Sequence, residues 1–174
     1  MAPPEIETPR LRLRPLTLAD APWTLELLND ADYVRFVADR GARTPDDARR
    51  YLEQGPLAMY ERHGVGLLAI ERRSDDAALG VCGLLKRDIL PDVDLGFALL
   101  PAHRSQGYAR EAAEAMLAWG RNGLGLHRVA AIVLERNEES ILLLRRLGFC
   151  RERAIEIEGE TLELYVREGG GGAG

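Results

Sequence analysis

The 174-residue sequence is short of the residue sets that mark several function classes, and each shortage narrows what the chain can be. It has two cysteines, Cys82 and Cys150, far apart, with no CxxC spacing and no histidine pair nearby. Neither a zinc site nor a disulfide framework is indicated, which leaves two buried free thiols in a reducing compartment. There is no basic excess: 23 Lys and Arg stand against 28 Asp and Glu, for a net charge of −5 and a pI near 5.3. The electrostatic footprint of a nucleic-acid partner is therefore missing. No apolar run approaches the ~18 residues of a membrane span, and the opening MAPPEIETPR lacks the apolar core of a signal peptide. A soluble, cytoplasmic protein without a membrane partner is expected. The three histidines, His63, His103 and His127, are scattered with no triad context. No GxxxxGK[ST] phosphate loop occurs, and GLGLHR at 123–128 lacks the third glycine of a dinucleotide fingerprint.

What is present reads as one globular domain. Hydrophobic residues make up 46% and charged residues 29%, enough to bury a real core in a chain of this length. With no internal linker or repeat, residues 1–168 are expected to form a single domain, followed by a Gly-rich tail, 169–174, that cannot pack and is expected to be disordered.

Periodicity supplies the elements. RLRLRPL at 10–16 alternates Arg and Leu, as a half-buried strand does. Asp20 can cap a helix through about Asn29 that buries Trp23 and Leu27, with Leu28 a further candidate. TPDD at 44–47 sets Thr44 as N-cap and Pro45 at the first helical position, predicting a helix to about Gln54. Gly55–Pro56 is a break beyond which that helix can resume to Arg62. VGLLAIE (65–71) and LGVCGLLK (79–86) flank a polar turn and predict a hairpin. VDLGFALL (93–100) predicts a third strand, followed by a loop and a helix over 108–122. HRVAAIVL (127–134) is a further strand, then a helix from about Glu138 to Leu147 stopped by Gly148. Strands near 150–157 and 161–167 flank the turn EGE. The order β α α β β β α β α β β predicts an α/β (α+β) fold, a mixed sheet with helices packed on it. The only parallel pairing it forces lies between strands 93–100 and 127–134, where the crossover helix intervenes.

The loop HRSQGYA between strand 93–100 and its helix is the chemical signal. A helix N-terminus presents unpaired N–H groups and partial positive charge. Gly107 lets the backbone approach a ligand, Ala109 keeps the helix start uncrowded, and Arg104 adds a donor suited to phosphate oxygens. A phosphate or pyrophosphate cradle follows; the plain alternative is a turn glycine before a helix.

LGFALLPAHRSQGYAREAAEAML resembles the signature segment of the GNAT N-acetyltransferase superfamily, whose loop reads Q/R-x-x-G-x-G/A, with Arg104, Gly107 and Ala109 at those positions. RNEESILLLRRLGF at 136–149 resembles the family's second segment, N-x-x-S followed by an apolar helix ending in LGF. Within the superfamily, TPRLRLRPLTLAD and this pair look most like the ribosomal-protein N-terminal-alanine acetyltransferase group. The resemblance covers about residues 8 to 167. It implies a mostly antiparallel central sheet of about seven strands with helices on both faces.

The resemblance also implies acetyl-CoA as cosubstrate and no metal. Its pyrophosphate would sit on the N–H groups of Ser105, Gln106, Gly107, Tyr108 and Ala109 with Arg104 alongside. Its pantetheine arm would lie along Phe97, Ala98 and Leu99. Asn137 would reach the pantetheine amide, and Ser140 would lie near the sulfur. An N–H near Leu99 can serve the developing oxyanion. Many relatives use a tyrosine in the second segment for the leaving thiolate; this chain has none there, so Ser140 is the available hydroxyl. Asp94 is the candidate base, against the alternative of a solvated or ion-paired strand residue. Glu111 and Glu114 read as structural or surface groups, and a nucleophilic cysteine is not needed. The acceptor, a peptide N-terminus or a small-molecule amine, would be lined by residues 30–44 and by the 155–161 turn with Glu156, Glu158 and Glu160. A non-catalytic acyl-CoA sensor and a structural dimer of the same fold are the competing readings; the enzyme is expected to be a monomer or homodimer.

Overall fold

The computed structural model describes residues 1–169. Its strands are β1 (Ile6–Glu7), β2 (Leu11–Pro15), β3 (Gly66–Arg72), β4 (Ala77–Leu85), β5 (Asp94–Leu99), β6 (Arg128–Val133), β7 (Cys150–Ile157) and β8 (Glu160–Glu168). They form one sheet in the order β1-β2-β3-β4-β5-β6-β8-β7. Every neighbouring pair is antiparallel except β5 and β6, the pair joined by the crossover helix. Eight strands replace the expected seven because Ile6–Glu7 adds a two-residue ladder to β2, too short to show as a pattern.

The helices are α1 (Ala21–Leu28), α2 (Ala31–Phe36), α3 (Pro45–Leu52), α4 (Ala58–His63), α5 (Tyr108–Leu124) and α6 (Glu138–Arg146). Alternation along β2 sends Leu11 and Leu13 into a core with Ala112, Ala113 and Met116 of α5 and Leu144 of α6. The opposite face packs Ala69, Val81 and Ala98 against Leu27 and Leu28 of α1, Tyr33 of α2 and Ala48 and Leu52 of α3. Helices thus cover both faces.

Several expectations are corrected. Asp20 does not cap α1 through its side chain. Its carboxylate takes Arg14 Nη1 and Nη2 at 2.9 and 2.7 Å, the Thr17 N–H at 2.8 Å and Trp23 Nε1 at 2.9 Å. Burial pushes this carboxyl up, but Arg14 and the other donors outweigh it and hold the group below the usual range. Trp23 is accordingly half-buried with its indole N–H tied down, while Leu27 and Leu28 are buried. Thr44 does cap α3, in a reciprocal pair with Asp47. That helix gives way at Leu52 to a wide turn over Glu53–Leu57, because Pro56 cannot donate to the ladder, and resumes as α4. α5 runs two residues beyond 122, to Leu124, before Gly125 turns left-handed. Cys82 is buried as expected, but Cys150 opens the edge strand β7 and is exposed. Gly169 donates to the His127 carbonyl; the rest of the Gly-rich tail lies outside the described residues. Among the described residues no helix is long and apolar enough to cross a membrane.

Candidate active site

The site begins with a mismatch between the two flanks of β5. Against β4 it is paired along its whole length, from Leu85↔Asp94 to Gly80↔Leu99. Against β6 it has one registered position, Asp94↔Ala130, where the Ala130 N–H donates to the Val93 carbonyl at 2.9 Å. Beyond Asp94 the strands part. Val93 faces β6 and Leu100 donates to Leu79 next to β4. Alternation therefore turns the N–H and C=O groups of Phe97 and Leu99 into the gap. The gap opens into a cleft of about 890 Å³. Its walls are Phe97, Ala98 and Leu99 of β5, the loop into α5, the start of α6, and Tyr33, Phe36 and Val37 on and after α2.

The loop into α5 is a backbone concavity. Ser105 (φ 62°) and Gly107 (φ 81°) are both left-handed, and Gly107 occupies the N-cap with no side-chain cap. The first N–H groups of a 17-residue helix are thereby left to a ligand. A Cβ on Gly107 would lie 3.3 Å from Arg10 Nη2, so any side chain there is both strained and crowded. Arg10, which does not line the cleft, braces this loop, a role that sequence reasoning missed. It reaches in from the turn before β2, with Nη1 on the Gln106 carbonyl at 2.9 Å, Nε on Glu111 at 2.8 Å, and its guanidinium 4.4 Å over the Tyr108 ring. The RLRLR alternation showed only that its neighbours are strand. Glu111 is structural, as expected: it also accepts from the Arg10 N–H and from Thr8 Oγ1 at 2.5 Å.

Of the expected site residues, Phe97, Ala98, Leu99, Arg104, Ser105, Gly107, Tyr108, Ala109, Asn137 and Ser140 all line this one cleft. Gln106 and Asp94 do not. Gln106 turns its side-chain amide back to the Ala102 carbonyl, 3.2 Å away. Asn137 caps α6, its Oδ1 accepting from the Ser140 N–H at 3.4 Å, which leaves its amide N–H groups for a ligand. Arg104 is committed elsewhere: Nε and Nη2 donate to the Leu99 carbonyl, Nη1 reaches Asp32 at 2.9 Å, and Nη2 also pairs with Asp30. Asp94 is fully buried where β5 meets β6. Its Oδ1 accepts from Arg87 Nε at 3.1 Å while Oδ2 has no partner among the described residues. Burial pushes its carboxyl up to about 6, against the opposing pull of Arg87. It shares a sheet face with Ala98, which packs beside Tyr33 of α2. No histidine lines the cleft. Of the acids in the 155–161 turn, Glu156 is taken by Thr161 Oγ1, and all three are exposed.

The cleft is rich in arginine. Arg35, Arg104, Arg110, Arg136 and Arg146 face three acids, Asp32, Glu138 and Glu139. Arg104 is neutralised by Asp30 and Asp32, and Arg110 by Glu114 at 3.1 Å. Arg136 makes a single long bond to the Arg35 carbonyl, 3.4 Å away. Its guanidinium is thereby largely left for an anionic group.

A family model described as an acetyltransferase (GNAT) domain matches residues 10–150. The chain belongs to the GNAT acetyltransferase family. It is 28% identical over 155 residues to the uncharacterized N-acetyltransferase YoaA of Bacillus subtilis, covering 87% of this chain and 86% of that protein. Among solved structures, an acetyltransferase from Agrobacterium tumefaciens superposes with a TM-score of 0.82 at 26% identity, over 97% and 96% of the two chains. The ribosomal L7/L12 alpha-N-protein acetyltransferase RimL, solved with coenzyme A, shares the fold with a TM-score of 0.81 at 16% identity, over 95% and 98%. More distantly, the spermidine N(1)-acetyltransferase of Escherichia coli is 24% identical over 91% of this chain and 80% of that one. This GNAT protein is thus an acetyl-CoA-dependent N-acetyltransferase acting on amines. The donor fits what the chain presents: a concave run of N–H groups around left-handed Ser105 and Gly107, a free strand edge, and an arginine-rich cleft for phosphates. Among the described residues no cluster of three or more His, Cys, Asp or Glu could hold a metal ion.

Proposed function

We propose that this enzyme, a single domain over residues 1–168 working in the cytoplasm as a monomer or homodimer without a nucleic-acid partner, acetylates the α-amine of a protein or peptide N-terminus. When bound, acetyl-CoA supplies an activated thioester, which the neutral amine attacks directly in a ternary complex. The N–H groups from Ser105 to Ala109 hold the pyrophosphate at the start of α5. Phe97 and the free N–H of Leu99 hold the pantetheine arm along β5, and the Leu99 N–H stands ready for charge developing on the carbonyl oxygen. Asn137 orients the arm through its amide, and Ser140 donates a hydrogen bond to the leaving sulfur. Asp94 accepts the amine's proton from the sheet face it shares with α2.

The observation that carries the choice of acceptor is the sparse proton machinery. The cleft has no histidine, and the nearby carboxylate that burial raises to about 6, Asp94, lies fully buried behind its wall. An α-amine with a pKa of about 7.7–8.0 is roughly 10–20% neutral at pH 7, whereas a lysine near 10.4 is neutral in only about 0.04% of molecules. The α-amine needs far less help. The test is thiol release from acetyl-CoA over peptides beginning with Ala, Ser or Met, an N-terminally blocked lysine peptide, polyamines and aminoglycosides. Turnover concentrated in the free-α-amine peptides supports the reading, and preference for polyamines or aminoglycosides moves the enzyme to small-molecule amines. No turnover with any of them would leave an acyl-CoA-binding sensor.

A further inference from the structure

Arg104 occupies the position from which a side chain was expected to meet phosphate, yet its guanidinium is already spent. Four of its five N–H groups are engaged, and two carboxylates match its single charge. A phosphate brought to this guanidinium would have to displace Asp30 or lie beside it as a like charge. The geometry points to a different task. We propose that Arg104 is a positioning residue that ties the donor cradle to α2, so that donor binding and the order of residues 31–36 are coupled.

Each end of this link is well defined. On one side, Arg104 is the first residue of the cradle loop, immediately before left-handed Ser105, so whatever fixes the loop fixes the root of the side chain. In the middle, Nε and Nη2 both seize the Leu99 carbonyl. This takes the Leu99 carbonyl out of the gap and leaves the Leu99 N–H facing it beside the N–H and C=O of Phe97. On the far side, Asp30 does two jobs with a side chain only 9% exposed: it holds Arg104 and accepts from the Tyr33 N–H at 3.0 Å as the N-cap of α2. A six-residue helix has no stability of its own. What holds α2 is the buried Tyr33, the Asp30 cap and the charge pair to Arg104. Asp32 adds a second, exposed contact two residues along. Because α2 and the cradle both line one cleft, a donor that fills it settles the loop, the loop settles Arg104, and Arg104 settles α2. Reciprocity then requires that an ordered α2 favours the donor.

The test needs no acceptor. Amide hydrogen exchange of residues 31–36 is followed with and without saturating coenzyme A, in wild type and in Arg104→Gln, with coenzyme A affinity measured by calorimetry. Coenzyme A is expected to slow exchange in wild type by about tenfold or more, and to lose that effect in Arg104→Gln while its affinity falls by less than about fivefold. Wild-type-like protection of 31–36 in Arg104→Gln overturns the proposal. A loss of affinity above about thirtyfold does so too, since it would make Arg104 a phosphate ligand after all. Should Arg104→Gln melt too low to measure, Asp30→Asn keeps the α2 cap, since its Oδ1 can still accept from the Tyr33 N–H, and removes the charge that holds Arg104. A reduced coenzyme A effect on 31–36 in that variant supports the link, and an unchanged effect overturns it.

Discussion

Asp94→Asn isolates the most perturbed carboxyl in the catalytic half of the sheet. In the folded protein Asp94 is fully buried with one oxygen on Arg87 and the other without a partner, and it titrates near 6 instead of 3.8. Between those values the folded state holds a proton that the unfolded state has lost, so stability falls as the pH rises through that window. Below 3.8 both states are protonated and the cost vanishes; above 6 it is complete. The gap corresponds to about 3 kcal/mol at neutral pH, of which about one third is already present at pH 4.5. Asn cannot ionise, so the stability of wild type relative to Asp94→Asn is expected to drop by about 2 kcal/mol between pH 4.5 and 8. Urea unfolding of both proteins at the two pH values reads this directly, because other titrating groups cancel in the difference. A difference that stays flat to within about 0.5 kcal/mol would refute the reasoning, since Asp94 would then titrate as an ordinary exposed carboxyl.

The same variant is expected to lower turnover near neutral pH, by a factor that shrinks above pH 8 as the α-amine deprotonates unaided; a pH–rate profile parallel to wild type removes Asp94 from proton transfer. Gly107→Val places a β-branched residue at φ 81° within 3.3 Å of Arg10, and is expected to abolish the rise in melting temperature that acetyl-CoA gives wild type. A wild-type shift in that variant would mean the cradle is elsewhere. Ser140→Ala is expected to cost about tenfold in turnover, the value of one hydrogen bond to the leaving sulfur, with donor affinity unchanged. A much larger loss would promote Ser140 to a general acid, and no loss would dismiss it.

The parts that were readable in advance are those whose signal is local. Alternation in RLRLR, the apolar runs of β3 to β6 and the caps at Thr44 and Gly148 each report their own element, and those elements stand close to their expected bounds. The cradle was readable because Gly107 and the helix behind it are adjacent in the chain. What escaped depends on partners far away in sequence. Arg104 meets Asp30 and Asp32 more than seventy residues back, and Arg10 reaches Gln106 across 96 residues of chain. α2 is too short, at six residues, to show a helical period, and its existence rests on tertiary contacts. Asp94 could be placed on a strand, but strand periodicity does not say which face another layer will cover, so its full burial was invisible.

A single peptide with a free N-terminal alanine and one internal lysine tests the central claim most directly. After incubation with the enzyme and acetyl-CoA at pH 7, fragmentation mass spectrometry assigns the added acetyl group to one amine or the other. Acetylation of the alanine α-amine with the lysine untouched is the predicted result. Acetyl on the lysine with the α-amine left free would contradict it.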